Sequence, residues 1–112
     1  MAKKPIVSYP AEAAPYFDRL RKYLSKHHGW KFRMRAHDDG GAYYEITPAK
    51  GSTLRVADLR DAARKTRTKQ GKWCNVEAYS RTQLGIEAPD WLGSTYLYLE
   101  PGSKSARWEL YC

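Results

Sequence analysis

The chain is expected to fold as a single α+β domain, with a mostly antiparallel sheet of about five strands and two helices on one face. Three observations carry that expectation. Trp30-Lys31-Phe32-Arg33-Met34-Arg35-Ala36 alternates apolar with cationic residues. A strand sends successive side chains to opposite faces, so this run makes one packed face and one charged face. Two other stretches carry apolar stripes at helical spacing. The resulting order α-β-β-α-β-β-β, with its short turn-forming connections, favours antiparallel pairing and helices on one side.

Residues 1–9 read as an extended lead-in, with Lys3 and Lys4 solvated and Ile6, Val7 and Tyr9 laid on the body. Ala13, Phe17, Leu20 and Leu24 then predict a helix from about Ala11 to His27. Pro10 and Pro15 fit only before it or in its first turn, where no intrahelical N–H partner is lost. Arg19, Arg21, Lys22 and Lys26 fall elsewhere on the cylinder, and Gly29 supplies the stop. A hairpin follows, Trp30–Ala36 against Ala42–Thr47. Its turn, Asp38-Asp39-Gly40-Gly41, is built from residues that accept the backbone angles of a tight reversal. On its second strand Tyr44 and Ile46 share one face, Tyr43 and Glu45 the other.

The second helix is predicted from about Leu54 to Lys69, capped by Ser52 or Thr53, with Val56, Leu59, Ala63 and Thr66 inward. Asp58 and Asp61 come early and Arg64, Lys65, Arg67 and Lys69 late, an order that suits the helix dipole. Lys72–Ser80 reads as a strand, with Cys74, Val76 and Ala78 on one face and Trp73, Asn75, Glu77 and Tyr79 on the other. Residues 81–91 show no clean period and are expected to form a loop holding one short helical turn. A last hairpin joins Ser94–Glu100 to Ala106–Cys112 through Pro101-Gly102-Ser103. The predicted core gathers Phe32, Met34, Tyr44, Ile46, Val76, Leu97, Leu99 and Leu110 with Phe17, Leu20, Leu24, Val56 and Leu59.

At 112 residues the chain has the length of one domain. A hydrophobic share of 42% separates it from disordered chains. Nine Tyr and four Trp against two Phe give an aromatic set with polar handles, suited to half-wet surfaces as well as cores. A formal net charge of +8 favours encounter with nucleic acid first, then acidic proteins, then anionic membranes. No apolar run approaches the ~18–20 residues of a membrane span. The opening Met-Ala-Lys-Lys-Pro lacks the apolar stretch of a signal peptide, so a cytoplasmic location is expected. Cys74 and Cys112 are too few for a zinc framework and are expected as free thiols in a reducing compartment.

The main functional signal is cationic charge interleaved with aromatic rings. The helix-free sheet face is predicted to show Lys31, Arg33, Arg35, Tyr43, Trp73, Tyr79, Tyr96 and Tyr98. Rings of this kind stack bases while Lys and Arg follow phosphates. A second signal is the run at the end of the second helix, where Arg64, Lys65, Arg67 and Lys69 stand ready to neutralise phosphates. The bland alternatives are a solvated face whose Arg, Glu and Tyr pair across strands, and a helix end whose cations only serve its dipole.

No P-loop, dinucleotide glycine motif or convergent nucleophile–base set occurs. His27, His28, His37, Asp38 and Asp39 are close in sequence, but adjacent helical His residues point about 100° apart and the Asp pair serves a turn. The expectation is therefore a non-enzymatic nucleic-acid-binding domain, without cofactor or metal. The competing class is a small inhibitor or adaptor of the phage or mobile-element type, gripping a host nucleoprotein enzyme such as a CRISPR complex. Tyr, Trp and Arg anchors would serve it equally well.

Overall fold

Two groups of strands are joined by one shared strand. The computed structural model describes residues 10–36 and 41–110. Its elements are α1 (Ala14–His28), β1 (Lys31–Ala36), β2 (Ala42–Thr47), α2 (Val56–Lys65), β3 (Asn75–Ala78), β4 (Gln83–Glu87), β5 (Ser94–Leu99) and β6 (Ala106–Glu109). Short 3-10 turns sit at Pro89–Trp91 and Pro101–Ser103. The sheet has six strands in the order β1-β2-β6-β5-β4-β3, and every neighbouring pair is antiparallel. The β1–β2 hairpin and the β3-to-β6 meander thus meet where β6 pairs with β2.

Register fixes the two faces. Phe32, Ile46, Ala106 and Leu99 stand in one row, and Met34, Tyr44, Trp108, Leu97, Leu84 and Ala78 in the next. These rows face the helices. Phe17, Leu20 and Leu24 of α1 and Leu59, Ala62 and Ala63 of α2 join Ile46, Leu84, Ile86, Leu97 and Trp108 in one buried cluster. Thr95 is buried among them and its hydroxyl donates to the Glu109 carbonyl, which ties β5 to β6.

Most of the predicted core assembles, with Met34 the exception in it and Ala78 an exception on the inward face predicted for the third strand. Phe32, Tyr44, Val56, Val76 and Leu99 pack against the cluster, but Met34 is 47% exposed and Ala78 is also exposed. Both lie on the edge strands, β1 and β3, each of which has a neighbouring strand on one side only. Arg21 departs in the other direction. It was expected on the outside of α1, yet it is buried, with its guanidinium 4.7 Å from the Tyr44 ring and 5.3 Å from Trp108. Asp18, one turn earlier, pairs with it.

A sixth strand replaces most of the expected 81–91 loop. In Gln83-Leu84-Gly85-Ile86-Glu87 the period of two is present, but a glycine stands where an outward side chain would mark it. The preceding turn carries no glycine or asparagine; the Ser80 hydroxyl accepts the N–H groups of Thr82 and Gln83 instead. At Pro89–Trp91 the chain makes a tight turn in place of the expected helical one, since Asp90 and Trp91 both have positive φ. The second helix is shorter than predicted. Its N-cap is Arg55, not Ser52 or Thr53, because the chain stays extended until the Leu54 N–H has bonded the Ser103 carbonyl. It ends at Thr66, whose hydroxyl donates back to the Ala62 carbonyl at 2.8 Å. The third strand also starts later than predicted, at Asn75. The expected turn residues 38–40, the 1–9 lead-in and the last two residues of the final strand lie outside the described residues.

The first helix stops as its sequence implies. Gly29 takes φ 71°, and the Trp30 N–H turns back to the Leu24 carbonyl. A Cβ at Gly29 would also meet Ala49 Cβ at 2.8 Å, so both conformation and space require glycine there. Beside this stop, His28 clamps the two helices together: its Nε2 is 2.9 Å from Asp61 and its Nδ1 3.4 Å from Asp58. No helix is long and apolar enough to cross a membrane among the described residues.

Two expectations follow for stability. Leu59→Ala should cost about 2–5 kcal/mol, since a wholly buried leucine leaves a cavity; urea titration measures it. The hydrogen bond from His28, reinforced by its charge and those of Lys65 and Arg64, holds the Asp61 carboxyl below its ordinary value. A carboxylate lowered in the folded state adds stability above its unfolded value near 3.8 and loses it as pH falls through the folded value. Asp61→Asn should therefore melt lower than the parent at neutral pH, and the gap should close in acid.

Candidate nucleic-acid interface

The predicted site residues divide between two sides of the molecule. Lys31, Arg33, Arg35, Tyr43, Tyr96 and Tyr98 alternate with core residues and lie on the helix-free face. Arg64 and Lys65 lie on α2, with Arg67, Lys69 and Trp73 in the loop that follows, on the helical side. Trp73 was expected on the sheet face. It lies beside α2 because strand geometry begins only at Asn75, so alternation does not govern its direction.

The helix-free face holds an aromatic ladder. Tyr79 and Tyr96 have ring centroids 6.2 Å apart, and Tyr96 and Tyr98 6.4 Å. Gly85 makes room for it: a Cβ there would fall 2.6 Å from the Tyr79 ring. Burial of the ring, then the charges of Glu77, Tyr96 and Glu87, raises the Tyr79 hydroxyl above its ordinary value.

Its charge, however, is balanced. Arg33 stands opposite Glu45, which stands opposite Arg107, and Tyr43 stands opposite Glu109. Arg35 reaches Glu45 at 3.6 Å, Arg107 reaches Glu109 at 4.0 Å, and the Arg107 guanidinium lies 4.9 Å from the Tyr43 ring. The uniformly positive face expected from β1 alone is thus largely neutralised by carboxylates from strands one and two places away.

The excess cation sits elsewhere. Between Arg55 and Lys72 the chain has Arg55, Arg60, Arg64, Lys65, Arg67, Lys69 and Lys72 against only Asp58 and Asp61, and so carries most of the net charge. Both carboxylates are engaged by His28 and Asp61 also pairs with Arg64 at 3.6 Å, so the two of them meet only part of the seven cations. The loop is folded, not loose: the Thr68 N–H bonds the Lys72 carbonyl at 2.8 Å and the Gly71 N–H bonds the Thr68 carbonyl at 2.9 Å.

That loop presents Trp73 at the mouth of a groove of about 440 Å³ between α2 and the edge strand β3. Ala57, Ala63, Cys74 and Val76 give the groove an apolar floor, while Arg60, Arg64 and Asn75 line it with polar groups. Trp73 is 41% exposed, and the Arg67 guanidinium stacks 4.9 Å from its ring. Cys74 is buried and unpaired; burial pushes its thiol up to about 12, against the opposing charge of Arg19, so it is inert packing.

A second exposed indole lies at the same end of the sheet. Asn75 pairs with Glu87 and Glu87 with Ser94, so the 66–73 loop and the 88–93 turn emerge side by side. Lys72 forms an ion pair with Asp90, and that partner raises the Lys72 ammonium above its ordinary value. Trp91, next to Asp90, is 95% exposed. Asp90 and Trp91 both have positive φ, 58° and 60°, an arrangement that costs roughly 1–3 kcal/mol per non-glycine residue.

Sequence reasoning missed Arg60 and Trp91. Arg60 sits one helical turn before Arg64, a spacing that places both on one wall. Nothing in the sequence marks Trp91 as outward, because its direction depends on a positive φ. Comparison with family models, curated proteins and solved structures gives no match to this chain.

The ladder supplies one check on the face itself. Gly85→Ala should displace the exposed Tyr79 ring and leave the melting temperature nearly unchanged, since a side chain rather than backbone must yield. Faster nitration of Tyr79 reads the displacement.

Proposed function

We propose that the protein is a non-enzymatic nucleic-acid-binding domain whose principal site is the groove between α2 and β3. One observation carries the reading: an exposed Trp73, stacked by Arg67, at a groove lined by Arg60 and Arg64. The groove volume suits one base, and its apolar floor suits a ring face. Arg60, Arg64, Lys65, Arg67 and Lys69 then meet the phosphates on either side, as point charges and forks that position a strand without reading its sequence. The balanced helix-free face takes a lesser part, because Arg35 and Arg107 already have carboxylate partners and Arg33 stands opposite Glu45.

Salt and substitution test this together. About five phosphate contacts on a single strand should give a log–log salt slope near −3 to −4. Arg64→Gln with Arg67→Gln should weaken oligonucleotides at least tenfold, roughly 1.4 kcal/mol or more, regardless of sequence. Arg33→Gln with Arg35→Gln should change affinity by less than about threefold, since exposed pairs of this kind contribute little. Fluorescence anisotropy with labelled oligonucleotides measures all three. A flat salt response and no saturable binding would favour the inhibitor or adaptor reading, in which the exposed Trp and Arg residues anchor a protein. A nuclease-resistant partner in a pull-down would then be expected.

A further inference from the structure

Trp91 is held outward by the chain on both sides of it. The turn is closed by the Leu92 N–H on the Pro89 carbonyl, 3.2 Å, and the Ala88 N–H on the Gly93 carbonyl, 2.8 Å. Leu92 packs against the core and Ala88 is buried in it, and of the three residues between them Asp90 and Trp91 are turned to solvent. The positive φ at Asp90 and Trp91 completes that reversal. Backbone strain of this kind clusters at functional sites, ligand clamps among them.

The Lys72–Asp90 ion pair sets this turn against the loop that presents Trp73. Each indole therefore adjoins one member of this ion pair, Trp73 next to Lys72 and Trp91 next to Asp90, at one end of the sheet. The other two tryptophans, Trp30 and Trp108, are core residues. Exposed rings spaced along a cationic track are how strands with unpaired bases are gripped, since every base has a face to stack. A duplex, with its bases already stacked, gains nothing from them.

We infer that Trp91 is a second base-stacking post, so that the strand bound at Trp73 continues past Lys72 and the ligand is single-stranded, with at least two accessible bases. The inference rests on the nucleic-acid reading above and narrows it to unpaired strands. Trp91 binds bases and not phosphates, which separates its effect from that of the arginines.

The test uses the full chain and oligo(dT) of roughly 12 nucleotides, within the usual site sizes of single-strand binders. Trp91→Ala should weaken binding about 5- to 150-fold, the affinity of one stacked base, with the salt slope unchanged. An otherwise identical abasic oligomer should bind the parent more weakly, and Trp91→Ala should shrink that difference. In Trp73→Phe, where Trp91 is the remaining exposed indole, oligo(dT) should still quench the emission. Because Trp91 is so exposed, its loss should leave the melting temperature unchanged. If Trp91→Ala binds within about twofold of the parent while Trp73→Ala does not, this inference falls and the groove reading stands. If the parent shows no saturable binding to oligo(dT), both fall.

Discussion

The burial of Trp108 beneath α1 is the constraint on which the rest of the molecule depends. Its strand, β6, joins the β3-to-β6 meander to the β1–β2 hairpin, pairing with β5 on one side and β2 on the other. In register it stands between Tyr44 and Leu97, one from each group, and it is wholly buried. Arg21 of α1 lies over both Tyr44 and Trp108, so the helix is fixed across the seam by a guanidinium as well as by Phe17, Leu20 and Leu24. A desolvated cation over two rings is a favourable arrangement, but it has a cost: one guanidinium nitrogen of Arg21 and the Trp108 indole N–H lack hydrogen-bond partners.

From that seam the placement of both surfaces follows. With β6 in the middle, β1 and β3 become the two edges, and α2 is left to cover the β3 side. The β1 cations then face the same side as Glu45, Glu109, Glu77 and Glu87, which strand order brings to that face from elsewhere in the chain. The helix-free surface becomes a lattice of cross-strand pairs and tyrosines. Cations in excess of carboxylates collect at the other end, where α2 runs out beside an edge strand and a loop must return the chain to the sheet. The groove is a product of this topology: a ten-residue helix next to a four-residue edge strand leaves an open flank.

Much of this fold was legible because alternation and helical stripes are local properties of the chain. Phe32, Ile46 and Leu97 against Lys31, Glu45 and Tyr98 need no knowledge of partners, only of period. The failures have a common form. Met34 has the right period but an edge location, and strand order is not written in any one segment. Arg21 looks external until the aromatic pair under it is known. Strand β4 was hidden because Gly85 replaces the residue that would have shown alternation, and the reason for that glycine is Tyr79, six residues earlier. The site followed the same rule. The cation run at 64–69 was evident as sequence, whereas neutralisation of the β1 cations depends on strands β2 and β6. Trp91 depends on two backbone angles that the residue types do not announce.

The cation run would be weak evidence by itself, because Arg64 and Lys65 also complement the α2 dipole and would be found there without any ligand. The dipole argument accounts for charge within the last turn, and it stops at Thr66. It does not account for Arg67 stacked on an indole beyond the helix end, nor for leaving that indole 41% exposed beside a groove with apolar walls. Trp30 and Trp108 show that this fold has room to bury tryptophan completely. A third and a fourth are held at the surface, one by a folded basic loop and one by a turn kept in an unfavourable conformation. Stability alone favours neither arrangement: apolar area stays in water and backbone strain is retained. A ligand that covers the rings would offset those costs, as the proposed nucleic-acid reading expects, and Arg60, Arg64 and Arg67 beside Trp73 suit an anionic one.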